Sequence, residues 1–143
     1  MQDTLEQKDY ILREIEKLGL IMASVRQRLF GGKENPSLSV ENIINDVSGM
    51  LSGESDFSLH EYLSLGKEES NNYICGFKGF SPENIELLAD LIFDICFTVH
   101  PVDSTTHLEK ALQLYELCNL KSKTYSFKRE SKILKIKAHG ITR

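Results

Sequence analysis

Tryptophan is absent from this chain, and proline and cysteine occur only three times each in 143 residues. So few prolines leave long stretches free to stay helical. Cys75, Cys96 and Cys118 are odd in number, far apart and without C-x-x-C spacing, so neither a disulfide framework nor a zinc site is implied. Cys96 and Cys118 fall at apolar helical positions and read as small buried hydrophobes. Alternating β-branched runs are also missing, which disfavours strands. The longest apolar stretch is cut by Asp90 and Asp94, so no membrane span or membrane partner is expected. Met1-Gln2-Asp3-Thr4-Leu5-Glu6 has no basic region and no apolar run, so no signal peptide is expected, and a reduced cytoplasm is the default compartment.

What is present is an ordinary globular composition, 41% hydrophobic and 27% charged. The length suits one domain over 1–143 with a real core. Periodicity near 3.6 residues predicts an all-α bundle of five to six helices.

The central element is Ser81-Pro82-Glu83 through Val99. Ser81 is a capping residue, and Pro82 suits the first helical position. Apolar residues then cover most of the circumference, which places this helix inside a core. Glu83, Glu86, Asp90 and Asp94 interrupt it as one narrow acidic stripe.

Before it, residues 4–30 read as a long amphipathic helix. Ile11, Ile15, Leu18, Met22, Val25 and Leu29 form an a/d seam over nearly three heptads, widened by Leu12, Ile21 and Ala23. Bundle packing is the plain reading of that seam, and a homodimer through the first helix the sharper one. Gly31-Gly32 and Pro36 are stop signals. A second helix is predicted from Val40 to Leu51, capped by Ser39 and closed by Gly53. A short third opens on the capping box Ser58-Leu59-His60-Glu61. Residues 67–80 read as a loop or broken helix, with Phe77 or Phe80 against the core.

After the central helix, Thr106-His107-Leu108-Glu109 matches a second capping box. Leu108, Ala111, Leu112, Leu114, Tyr115 and Cys118 continue with helical spacing. A last helix is predicted over Ser122 to Ala138, with Arg129 among its lysines, with Tyr125, Leu134 and Ile136 on one side as a modest apolar stripe that docks on the preceding helix pair, and with Gly140 at its end.

The helices 81–99 and 106–118 resemble a tetratricopeptide-type hairpin, on Ala111 and Tyr115 within Glu109-Lys110-Ala111-Leu112-Gln113-Leu114-Tyr115-Glu116. The repeat's usual glycine and tryptophan-type position is missing from the first helix. No second copy follows at a period of about 34 residues, which argues against a stacked solenoid. The whole chain resembles a family of uncharacterised small bacterial helical proteins. The carriers are Lys8-Asp9-Tyr10-Ile11-Leu12-Arg13-Glu14-Ile15-Glu16-Lys17-Leu18-Gly19 and Lys121-Ser122-Lys123-Thr124-Tyr125-Ser126-Phe127. That resemblance implies an all-helical, tetratricopeptide-like fold and brings no activity and no catalytic residues.

Charge is segregated. Residues 121–143 hold eight basic residues against Glu130, a balance of +7, while the rest of the chain carries −11. Such asymmetry marks a nucleic-acid or membrane contact, or a basic helix lying on an acidic body. The second reading is preferred, with the acidic stripe as counter-surface or solvated face. As a metal site that stripe lacks the Glu-x-x-His pair of bundle carboxylate centres. His100, Asp103 and His107 are metal-compatible atoms around one loop, but a helix end and a helix start explain them. They are also the one seat an enzyme would have, since no nucleophile elbow or Ser/Cys–His arrangement is evident. Gly76-Phe77-Lys78-Gly79 before Ser81 is generic anion-binding equipment without the G-x-x-x-x-G-K-[ST] pattern, and Gly31-Gly32-Lys33 precedes no matching helix cap. The expectation is a non-catalytic interaction or scaffold domain without cofactor, binding a protein partner. Nucleic acid is the alternative, through Tyr125, Lys128, Arg129, Lys132 and Lys135.

Overall fold

A computed structural model describes residues 2–30, 39–98 and 105–140, with side chains described from residue 7 onward. Seven helices and no strand occur among the described residues: α1 (Gln2–Phe30), α2 (Val40–Glu54), α3 (Leu59–Ser64), α4 (Lys67–Cys75), α5 (Pro82–Thr98), α6 (Thr105–Ser122) and α7 (Phe127–Lys137). The all-α expectation holds.

α5 starts where Ser81 Oγ accepts the Asn84 N–H at 3.2 Å. That bond satisfies one of the donors a helix start leaves unpaired. Leu88, Ile92, Ile95 and Cys96 are fully buried. Each of the larger three contributes about 1.5–3 kcal/mol by leaving water. α6 runs antiparallel to α5: Cys118 Sγ approaches the Pro82 carbonyl, and the Tyr115 hydroxyl reaches Asp90 eight residues further along. α1 runs parallel to α5 on another side. Asn84 Nδ2 donates to the Ile15 carbonyl at 2.8 Å near one end, and Arg26 pairs with Asp94 near the other. The helix that is apolar nearly all round therefore lies between neighbours, as such a surface requires.

α2 presents Val40, Ile43, Ile44, Val47 and Leu51 to the core, and Ser39 caps it by accepting from the Asn42 N–H. It continues through Gly53 to Glu54, where the Ser55 N–H bonds back to the Leu51 carbonyl. Ser58 caps α3 by accepting the Glu61 N–H.

Residues 67–75 form a regular helix, not the loop or broken helix their polar sequence predicts. Tertiary bonds hold it: Gln113 Nε2 donates to the Lys67 carbonyl, Ser70 Oγ and Asn71 Oδ1, and Lys110 Nζ to Ser70 Oγ and the Leu65 carbonyl. After it, Phe77 and Phe80 join Phe57 edge-on, with Tyr73 beside them. Both predicted phenylalanines pack there, Phe80 buried and Phe77 half-buried. Gly79 lets the chain pass α1, because a Cβ there would sit 2.9 Å from the Glu14 carbonyl oxygen.

Thr106 lies inside α6 and does not cap it. α6 extends to Ser122, and Lys123 then takes a left-handed conformation, φ 57°. The last helix consequently starts at Phe127, capped by Ser126, five residues later than the sequence predicts. It ends at Lys137 with Ala138 as its C-cap, and Gly140 follows in a left-handed conformation, φ +87°. The stop signals Gly31-Gly32, Pro36 and His100-Pro101 lie outside the described residues.

Candidate interaction surface

α7 brings its basic residues to α5 in register. Ile133 and Ile136 are buried, and Arg129 stands one turn ahead of Ile133 on the same face. Arg129 is 4% exposed. Its Nη1 donates to Glu86 at 2.9 Å, Nε to Asn119 Oδ1 at 2.5 Å and Nη2 to the Thr124 carbonyl at 2.8 Å. Three residues on, Lys132 Nζ donates to Asp90 Oδ1 at 2.9 Å, and that same oxygen accepts from the Tyr115 hydroxyl at 2.5 Å. Three further, Lys135 Nζ stands 4.5 Å from the Phe97 ring centre and 5.7 Å from that of Phe93. Spacing by three on α7 thus meets spacing by about four on α5, and the two helices run parallel. Three stripe carboxylates have basic partners within the chain, Glu86, Asp90 and, through Arg26, Asp94. Glu83 is exposed. Burial and the Asp90 carboxylate push the Tyr115 phenol well above its ordinary pKa. Burial, with Glu86 and Glu83 nearby, pushes the Cys118 thiol up to about 11 against the opposing pull of Arg129.

Of the residues assigned to an interface from sequence, Arg129 and Lys132 are therefore held within the fold. Lys135 is exposed but lies over the α5 rings, while Tyr125 and Lys128 are exposed. Leu134, read as part of an inward stripe with Tyr125 and Ile136, faces solvent instead. Ile133 takes that place, because the inward face is set by the Arg129–Ile133–Ile136 spacing once the helix starts at Phe127. Ser126, three residues before Arg129, was the available signal for that start.

What remains on the outside is an apolar and basic surface at the α6–α7 end. Leu120, Tyr125, Phe127 and Leu134 are all strongly exposed, Phe127 at 76%. Phe127 and Leu134, seven residues apart, share one face of α7. Lys121, Lys123, Lys128 and Lys137 are exposed in the same segment.

Two other places were singled out by sequence. Gly76-Phe77-Lys78-Gly79 forms the approach to α5 and lines a cleft of about 530 Å³ shared with α1 and the α2–α3 turn. Its lysines, Lys17 and Lys78, stand among Glu14, Glu54 and Asp56, so it is not selective for anions. His100 and Asp103 lie outside the described residues, and His107 is half-buried at the start of α6. Among the described residues no group of three His, Cys, Asp or Glu side chains is placed to hold a metal ion, and no helix is long and apolar enough to cross a membrane.

No family model matches the chain, and neither a curated protein nor a solved structure does.

Proposed function

We propose that this chain is a non-catalytic, cytoplasmic protein-interaction or scaffold domain that docks a protein partner on the outer surface of the α6–α7 end. The observation that carries this reading is the exposure of Leu120, Tyr125, Phe127 and Leu134 beside Lys121, Lys123 and Lys128. Large apolar side chains clustered on a surface and rimmed by charge are characteristic of binding surfaces. The hairpin of α5 and α6, with Ala111 and Tyr115 inside it, serves as a tetratricopeptide-like support for that surface.

The test compares wild type with a Tyr125→Ala, Phe127→Ala, Leu134→Ala variant as bait in the native cell extract. All three side chains point outward, so the melting temperature should hold. A protein retained by wild type and lost by the variant supports the reading, and identical captures refute it. Exposed Tyr125 and Phe127 among lysines also favour a second reading, nucleic-acid binding by stacking and phosphate contact. Fluorescence anisotropy with duplex DNA and with RNA at low and moderate salt decides between them. Micromolar, salt-sensitive binding lost in a Lys121→Gln, Lys123→Gln, Lys128→Gln variant would promote the nucleic-acid reading.

A further inference from the structure

The a/d seam of α1 is filled from within the chain, with Leu18, Met22 and Val25 buried. α7 carries a second face that the fold leaves open. Arg129, Ile133 and Ile136 are buried on its inward side. On the opposite side Phe127, Ser131, Leu134 and Ala138 recur at intervals of four, three and four. That is the spacing of a helix–helix seam. All four are exposed, Leu134 at 62%. Large and small side chains alternate along it, so two knobs stand about 10 Å apart, each beside a hollow.

The flanks of this seam are basic. Lys128 and Lys135 follow the two large residues on one side, and Glu130 and Lys137 precede the two small ones on the other. Lys121 and Lys123 lie at the same end. From residue 120 to residue 138, five exposed lysines therefore stand against one half-buried acid. The cations that meet carboxylates of α5, Arg129 and Lys132, point inward. None of the five exposed lysines pairs with a carboxylate among the described residues.

We infer that this outer face of α7 receives an amphipathic helix of the protein partner, one whose flanks are acidic. The inference rests on the reading of the α6–α7 end as a docking surface and names the chemistry of what docks there. Charge selects the occupant. A second copy of the face would set lysines against lysines, whereas glutamates or aspartates beside a partner's seam meet them. Spacing selects a helix. Apolar side chains three and four residues apart on the partner fit beside Ser131 and Ala138, while Phe127 and Leu134 enter the partner's own gaps. A phosphate backbone would use the lysines but leave Leu120 and Leu134 without a contact, since aliphatic side chains neither stack on bases nor bond phosphate. A bilayer needs a wide apolar face, and this one is interrupted by Ser131, with both isoleucines of α7 inside the fold. The apolar knobs supply most of the affinity, and the exposed charges choose the partner.

Fluorescence anisotropy with two synthetic peptides tests this. Each is an idealised heptad repeat with leucine along its seam, and one carries glutamate on both flanks where the other carries lysine. Wild type should bind the glutamate peptide with a dissociation constant of roughly 10–500 µM, as suits a contact made by one short helix, and several-fold more weakly at moderate than at low salt. The lysine peptide should not bind. A Lys128→Glu, Lys137→Glu chain should lose at least about tenfold in affinity for the glutamate peptide, and so should a Phe127→Ala, Leu134→Ala chain. Both should melt within a few degrees of wild type, because all four side chains are exposed. Equal binding of the two peptides, no binding of the glutamate peptide up to about 1 mM, or unchanged affinity in either variant overturns the inference. So does tighter binding of phosphatidylserine-containing vesicles or of single-stranded RNA. A glutamate peptide that fails to bind, together with a protein that wild type retains from native extract and the Tyr125→Ala, Phe127→Ala, Leu134→Ala chain loses, would overturn the acidic helix and leave the docking surface standing.

Discussion

Removing Arg129 probes how α7 is held. In an Arg129→Ala protein the Glu86 carboxylate loses its 2.9 Å partner, and Asn119 Oδ1 and the Thr124 carbonyl lose their donors. Breaking a fully buried ion pair from one side costs about 3–5 kcal/mol, because the remaining charge is stranded. Glu86 keeps 26% of its side chain in solvent, so water offsets part of that loss. A net cost of about 2–3 kcal/mol is expected. For a chain of this size that lowers Tm by roughly 6–10 °C. Urea unfolding followed by circular dichroism measures it. Arg129→Lys should recover little, since one ammonium cannot replace a fork that reaches three acceptors. Exposed Lys128→Gln, the control on the same helix, should stay within about 0.5 kcal/mol of wild type. An Arg129→Ala protein as stable as the Lys128→Gln control would refute the claim that Arg129 anchors α7 to α5 and α6.

Ile92→Asp places an unpaired charge at a fully buried position of α5 and should leave no cooperative melting transition, whereas a soluble variant with wild-type melting would remove α5 from its central place. The buried Tyr62 hydroxyl has no hydrogen-bond partner among the described residues, and burial raises its pKa well above 10. The folded state therefore keeps a proton that the unfolded chain releases, so stability present below about pH 10 is lost as pH rises beyond it. Tyr62→Phe should be neutral or up to about 1–2 kcal/mol stabilising at pH 7, and should lessen the alkaline loss. A cost above that range would mean the hydroxyl has a partner after all. Under native conditions at pH 8 a thiol reagent should modify exposed Cys75 quickly, while Cys96 and Cys118 react only after denaturant is added. Equal labelling of all three in the folded protein would contradict their placement.

Element type was legible locally because capping and periodicity are local signals. Ser39, Ser58 and Ser81 each bond the backbone N–H three residues on, and the apolar spacing of residues 40–51 and 84–96 became the buried faces of α2 and α5. Composition alone also separated a basic end from an acidic body. Residues 67–75 could not be read this way, since the bonds that make them a helix come from Lys110 and Gln113, some forty residues distant.

The basic end shows the same division. Sequence places Lys128, Arg129, Lys132 and Lys135 on one short helix but is silent about rotation. A left-handed residue at Lys123 and a cap at Ser126 set where α7 starts and hence which way it faces. Docking on α5 then sorts its cations by a single turn: Arg129 and Lys132 inward to Glu86 and Asp90, Lys128 outward to solvent. For α1, periodicity predicts an apolar seam of the right strength. Which partner fills the seam depends on which helices arrive beside it, and that is a property of the packed chain.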